Sequence, residues 1–174
     1  ILLYYCTILK AMLKALLYIS LLVSSQISFG KDLEEGKLAP PFEATTIKGE
    51  KLNLIEQTGK TIIIHYWATW CPTCREEIPI FNAYYKKHQK DGLVMIFVSI
   101  DEPADLSKVK EMMKPYEFQV AMEQDTKAKG YGRIWRIPLT FIIDKKGFLR
   151  KNAWFDDGNI NEAVLDKNIT PLLQ

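Results

Sequence analysis

Two runs rich in β-branched and aromatic residues, Thr61–Trp67 (TIIIHYW) and Leu93–Ile100 (LVMIFVSI), dominate the chain's hydrophobic pattern. Their length and near-continuous apolarity predict central strands buried on both faces. Between them Ile78, Phe81 and Tyr85 recur at spacings of three and four, which predicts a helix with one apolar stripe, kinked at Pro79. Upstream, Phe42–Ile47 and Lys51–Leu54 flank Lys48-Gly49-Glu50 and read as a β-hairpin. Downstream, Leu106, Val109 and Met113 predict a helix over Asp105–Lys114, followed by an extended piece at Phe118–Met122 and a short helix over Asp125–Tyr131. Leu139–Asp144 and Phe148–Trp154 then form a hairpin across Lys145-Lys146-Gly147. A last helix is expected to start at Asn159, with Glu162 completing a capping box and Ile160, Val164 and Leu165 toward the core. Strand–helix–strand units require parallel pairing and the closing hairpin antiparallel pairing. The expected fold is therefore α/β, a mixed sheet flanked by helices on both faces.

Residues 1–30 follow a different rule. Reading from Met12, a basic Lys14 precedes the nine-residue apolar run Ala15–Val23 and the small-residue tail ending Ser28-Phe29-Gly30. That order matches a secretory signal peptide. The run is short of the about 20 residues a membrane-spanning helix needs, and Lys10 and Lys14 interrupt any longer one. The expectation is an exported protein with a leader at 1–30, starting at Met12 and either cleaved or retained as a tether, and one domain over 31–174 in a periplasmic compartment.

Charge and cysteine content sharpen this division. The chain has 174 residues, 23 Lys and Arg, 21 Asp and Glu, and three cysteines. All the acids lie after residue 30, so removing Lys10 and Lys14 leaves 21 cations against 21 acids. A neutral domain without a basic cluster is not built for nucleic acid. Cys6 falls in the leader, and Cys71 and Cys74 remain.

Cys71-Pro72-Thr73-Cys74 stands between a predicted buried strand and the start of a predicted helix. A cysteine there faces unsatisfied backbone N–H groups and the positive end of the helix dipole, both of which favour the thiolate. Pro72 at the first helical position costs no hydrogen bond. Cys71 is thus the expected nucleophile, and Cys74, a turn further in, the resolving thiol. Structural zinc needs four ligands, but His65 and His88 are the only histidines and neither is placed to help. Covalent haem would need histidine where Arg75 stands. A purely structural disulfide would close a loop too short to constrain the unfolded chain strongly. No Pro-x-x-x-Thr/Ser-x-x-Cys pattern leads to Cys71, which disfavours a thiol peroxidase. A copper-handling thiol module and a dithiol oxidase or isomerase stay open. No metal and no cofactor are expected.

The run Trp67-Ala68-Thr69-Trp70-Cys71-Pro72-Thr73-Cys74-Arg75-Glu76-Glu77-Ile78-Pro79 resembles the thioredoxin superfamily, specifically its TlpA/ResA/CcmG branch. The resemblance extends from Ala39 through the last helix. It implies a thioredoxin-like fold with the hairpin as an N-terminal addition and Asp105–Lys114 as an inserted helix. It also implies a cis-proline at Pro138 facing the cysteines, with the Ile137 backbone pairing with an extended substrate. Glu102 falls where an acid is expected to tune the thiols, acting as a partly buried carboxylate. Trp67 is expected beneath the site, whereas Trp70, Pro72 and Thr73 would meet partners. The implied activity is thiol–disulfide exchange by a monomer, most simply reduction of protein disulfides, with apocytochrome c as a candidate substrate and cytochrome c biogenesis as its setting. A membrane electron donor of DsbD type would recycle it.

Overall fold

The computed structural model describes residues 33–154 and 160–174. The leader expected at 1–30 and the expected helix start at Asn159 lie outside these residues.

A seven-stranded mixed sheet organises the domain. Its strands are β1 (Glu43–Thr46), β2 (Lys51–Asn53), β3 (Thr61–Trp67), β4 (Leu93–Ser99), β5 (Gln119–Lys127), β6 (Leu139–Ile143) and β7 (Leu149–Trp154), in the spatial order β2-β1-β5-β4-β3-β6-β7. β3, β4 and β5 run parallel, and every other pairing is antiparallel. The two central apolar runs become adjacent strands in the register Ile63↔Met95 and His65↔Phe97. Every side chain of β3 is buried, as its lack of polar alternation requires.

Alternation sorts β3 onto two cores. Ile63 and Trp67 join Met95 and Phe97 against Ile78, Phe81 and Tyr84 of α1 (Pro72–His88), Val109 and Met113 of α2 (Leu106–Met113), and Leu165 of α3 (Glu162–Asn168). Ile62, Ile64 and Tyr66 face the opposite way, toward Ile96, Phe141, Phe42 and Tyr131. Among the described residues all three α-helices therefore pack on one face, where the sequence pattern predicts helices on both. The cause is connectivity: β3–α1–β4 and β4–α2–β5 step in the same direction along the sheet. Right-handed crossovers that step the same way deposit their helices on the same side. The opposite face is covered by the N-terminal stretch and by the β5–β6 connection, whose Tyr131 ring meets Phe42 at 5.9 Å and Phe141 at 5.0 Å.

Two local expectations are corrected. Asp125–Lys127 continues β5 instead of starting a helix, because β1 lies alongside in the register Glu43↔Lys127 and Ala44↔Thr126. Only Lys129–Tyr131 makes a helical turn, of the 3-10 type. The last helix is capped by Asn161, whose Oδ1 accepts from Val164 N–H at 3.1 Å. Glu162 is then the first helical residue, too early to close a capping box. Among the described residues no helix is long and apolar enough to cross a membrane.

Candidate active site

The site is assembled where β3 ends. Past Trp67, Ile100 N–H donates to Trp67 O at 2.9 Å, and Ala68 O accepts from Cys71 N–H at 3.2 Å. The chain thus makes a tight loop, Ala68-Thr69-Trp70, before α1 begins at Pro72. This loop is pinned from β4. Asp101 accepts from Thr69 N–H at 2.8 Å, Thr69 Oγ1 at 2.6 Å and Ser99 Oγ at 2.6 Å. Asp101 is 3% exposed, so these contacts work in a low-dielectric setting where each is worth more than at the surface.

Cys71 is the N-cap of α1, and its Sγ accepts from Cys74 N–H at 3.2 Å. The sulfur occupies the position of a capping oxygen, where a first-turn N–H and the helix dipole stabilise negative charge. Cys71 and Cys74 form a disulfide with a Cα–Cα distance of 5.3 Å. Cys71 keeps 6% exposure and Cys74 none. Of the two residues, only Cys71 keeps any exposed surface.

The other predicted residues arrive by separate routes. The Ile137–Pro138 peptide bond is cis. Leu139 pairs with Tyr66, so Ile137 and Pro138 enter the sheet at the same end at which β3 leaves toward Cys71. Pro138 is buried and Ile137 half-buried. Trp67 is fully buried, Trp70 is 59% exposed, Pro72 is exposed and Thr73 half-buried. Glu102 is exposed rather than partly buried. The chain turns outward there, because Glu102 precedes the 3-10 turn Pro103–Asp105 and its carbonyl accepts from Asp105 N–H at 2.9 Å. The buried acid of that loop is its neighbour Asp101.

A second buried acid escaped the sequence reading. Glu77 is 3% exposed and lies three residues after Cys74, on the same face of α1. Its Oε2 is 3.9 Å from Nε2 of His65, which is fully buried on β3 between Phe81 at 4.8 Å and Phe97 at 4.5 Å. The other ring nitrogen of His65 meets Thr140 Oγ1 at 3.0 Å. Burial lowers the pKa of His65 to about 3, so the ring is neutral at physiological pH. The signal for Glu77 was present: it lies beside Ile78 on the apolar stripe, where a charged residue facing solvent would be out of place.

This sheet order, with a helix-capped cysteine pair behind the central strand and a cis-proline strand beside it, defines a thioredoxin-like protein. The chain belongs to the AhpC/TSA family, which matches residues 36–152. Among its relatives, the thiol-disulfide oxidoreductase ResA of Bacillus cereus is 35% identical over 117 residues, 66% of either chain. The thioredoxin-like protein YneN of Bacillus subtilis is 30% identical over 120 residues, covering 68% of this chain and 70% of YneN. The match thus spans about two thirds of the ResA relative's length. Among solved structures, a thiol:disulfide interchange protein of the thioredoxin family from Chlorobium tepidum aligns with TM-score 0.68 at 27% identity, covering 82% of this chain and 99% of that one. A putative DsbE from Chlorobium tepidum aligns with TM-score 0.65 at 26% identity, covering 82% and 99%.

Proposed function

We propose that this protein exchanges disulfides with polypeptides, working as a reductase. The observation that carries this reading is the asymmetry of the pair. Cys71 Sγ sits at a helix N-cap in a residue that keeps 6% exposure, and Cys74 is fully buried. In the reduced protein the Cys71 thiolate attacks one sulfur of a substrate disulfide and expels the other as a thiolate, which takes up a proton. Cys74 then gives up its proton and attacks Cys71 Sγ. The intramolecular disulfide forms, and the second substrate thiol leaves. Two electrons pass to the substrate. One chain supplies both cysteines, so a monomer suffices.

Cys74 needs a proton acceptor because it is fully buried and cannot release its proton directly to bulk solvent. Glu77 is the buried acid on its helix face, and Glu102 the exposed acid of the β4–α2 loop. Both are proposed to influence proton transfer, and they separate by experiment. Glu77→Gln is expected to shift the pH profile of the resolving step, and Glu102→Gln the pH dependence of the overall exchange; an unchanged profile in either variant removes that residue from proton transfer.

The names of the ResA and DsbE relatives support the exchange reading at family level. The leader-like segment supports export to the periplasm, where a membrane dithiol donor of DsbD type would return electrons to Cys71–Cys74. Apocytochrome c, and with it cytochrome c maturation, is the substrate proposal that fits this branch. The test is Cys74→Ser. The variant is expected to hold substrates as stable mixed disulfides on Cys71, whose identification names them. Recovering no mixed disulfide from an envelope extract would overturn the reductase reading. So would a reduction potential as oxidising as about −120 mV.

A further inference from the structure

A cavity of about 510 Å³ opens between the β1–β2 turn, the end of α2 and the start of β5. That volume is within the roughly 300–1,000 Å³ of ordinary small-molecule sites. Ile47, Tyr85, Met113, Tyr116, Phe118 and Val120 supply its apolar lining. Phe118 is 2% exposed, and its ring is parallel to that of Tyr116, the planes differing by 4° at a centroid distance of 5.8 Å. Phe97 of β4 stacks on Phe118 at 4.1 Å, and Tyr85 of α1 meets it edge to face at 6.2 Å. Rings from separate elements thus brace one another, and the aromatic wall is preformed.

The rim is cationic. Lys48, Lys110 and Lys114 line the cavity and are exposed, and among the described residues none of the three forms a salt bridge. Two acids share the lining. Glu117 is held by Lys86 at 3.2 Å, which leaves Glu50 to oppose three lysines. Lys110 and Lys114 stand four residues apart at the end of α2, a spacing at which like charges repel and a bound anion relieves both. Gln119 adds a third feature. It lines the cavity, and its Oε1 is buried without a hydrogen-bond partner among the described residues. Folded proteins seldom leave a buried acceptor without a donor, because the desolvation is not repaid.

We propose that this cavity binds a small aromatic carboxylate that also carries a hydroxyl group. The ligand ring lies on the aromatic wall, its carboxylate meets Lys110 and Lys114, and its hydroxyl donates to Gln119 Oε1. The site stands apart from disulfide exchange. Tyr85 follows Cys71 by fourteen residues, about 20 Å along α1.

The experiment titrates the full oxidised chain with 6-hydroxy-2-naphthoate near neutral pH and at low salt. Calorimetry reads the affinity, and the methyl NMR signal of Met113 reads the location. Saturable binding that moves the Met113 signal is expected. 2-Naphthol, which lacks the carboxylate, is expected to bind about tenfold more weakly, with the difference shrinking at high salt. 2-Naphthoate, which lacks the hydroxyl, is expected to bind about fivefold more weakly. Replacing both lysines, Lys110→Ala with Lys114→Ala, removes the preference for the carboxylate, and Gln119→Leu removes the preference for the hydroxyl. Circular dichroism identifies the folded variants, and the comparison of the three compounds on the wild-type chain stands without them. Absence of saturable binding, an unmoved Met113 signal, equal affinity for the three compounds, or preferences that survive the substitutions in folded protein overturns the proposal. Each of these results leaves disulfide exchange by Cys71 and Cys74 untouched.

Discussion

Thr69 donates twice to one carboxylate: its backbone N–H and its hydroxyl both bond to Asp101, at 2.8 and 2.6 Å. That pair of bonds fixes the residue two positions before the nucleophile to the end of the neighbouring strand. With Ser99 Oγ also donating, the Asp101 carboxylate works purely as an acceptor, while the Asp101 backbone N–H donates back to Ser99 Oγ at 3.1 Å. Asp101→Asn removes the charge from all three bonds and obliges the Thr69 hydroxyl to turn from donor to acceptor, and is expected to cost about 2–3 kcal/mol of stability. The exchange rate of Cys71 is expected to fall on the order of tenfold, because the loop that aims its sulfur loses its anchor. Urea unfolding and peptide-disulfide reduction check both. Wild-type exchange in the Asn variant would mean that the α1 N-cap alone positions Cys71.

His65 gives a pH dependence with a definite sign. Its folded pKa, lowered to about 3 by burial, lies below the unfolded value of about 6.5. Below pH 6.5 the unfolded chain binds a proton that the folded one refuses, so stability falls as pH drops from about 6.5 toward 3. Glu77 Oε2, at 3.9 Å, is too distant to hydrogen-bond the ring and offset burial. The expected loss from this residue is about 1.4 kcal/mol per pH unit within that window. His65→Asn should flatten the slope of unfolding free energy between pH 6 and pH 4, whatever its effect at neutral pH. An equally steep slope in the variant would assign the acid sensitivity elsewhere.

The central sheet and the cysteine pair were legible because each rests on a local code. Thr61–Trp67 and Leu93–Ser99 are strands by composition, and a cysteine pair between strand and helix announces itself. What stayed hidden depends on contacts distant in sequence. Asp125–Lys127 reads as the start of a helix until β1 is laid beside it, and Glu43 then reaches Lys127 Nζ at 2.8 Å. Asp101 and Glu102 are adjacent acids that no periodicity separates. The turn at Pro103 buries the first and exposes the second. The one-sided placement of the helices follows from strand order, which no single segment encodes.

Gly130 marks a close approach between segments far apart in sequence. A Cβ added there would overlap the Pro40 ring. The Tyr131 hydroxyl bonds the same residue's carbonyl at 3.1 Å, so the N-terminal stretch and the β5–β6 connection are packed as a unit. Gly130→Ala is expected to cost about 1–3 kcal/mol through overpacking. It should also increase proteolysis within residues 128–137, measurable by limited digestion. Unchanged stability would show that the Pro40 segment can move aside without loss.

Asp144 supplies an acid-sensitive clasp at the β6–β7 turn. Burial alone would raise its pKa, but Phe148 N–H at 3.0 Å, the Arg150 guanidinium and Lys146 N–H at 2.9 Å outweigh it and hold the carboxyl below its ordinary value. Arg150 contacts Oδ2 through Nε at 2.7 Å and Nη2 at 2.6 Å. A depressed folded pKa gives stability that is present above the unfolded value of about 3.9 and is lost as pH falls through the folded value. Asp144→Asn keeps an oxygen for the two backbone donors and loses the charge facing Arg150, which is itself half exposed. The expected cost is therefore modest, about 1–2 kcal/mol at pH 7. Because the wild-type carboxyl becomes neutral at low pH, the two proteins should converge in stability as pH falls through its depressed folded value. A stability gap that stays constant from neutral pH down to where the carboxyl is fully protonated would place the cost in packing at the turn, not in the ionised pair.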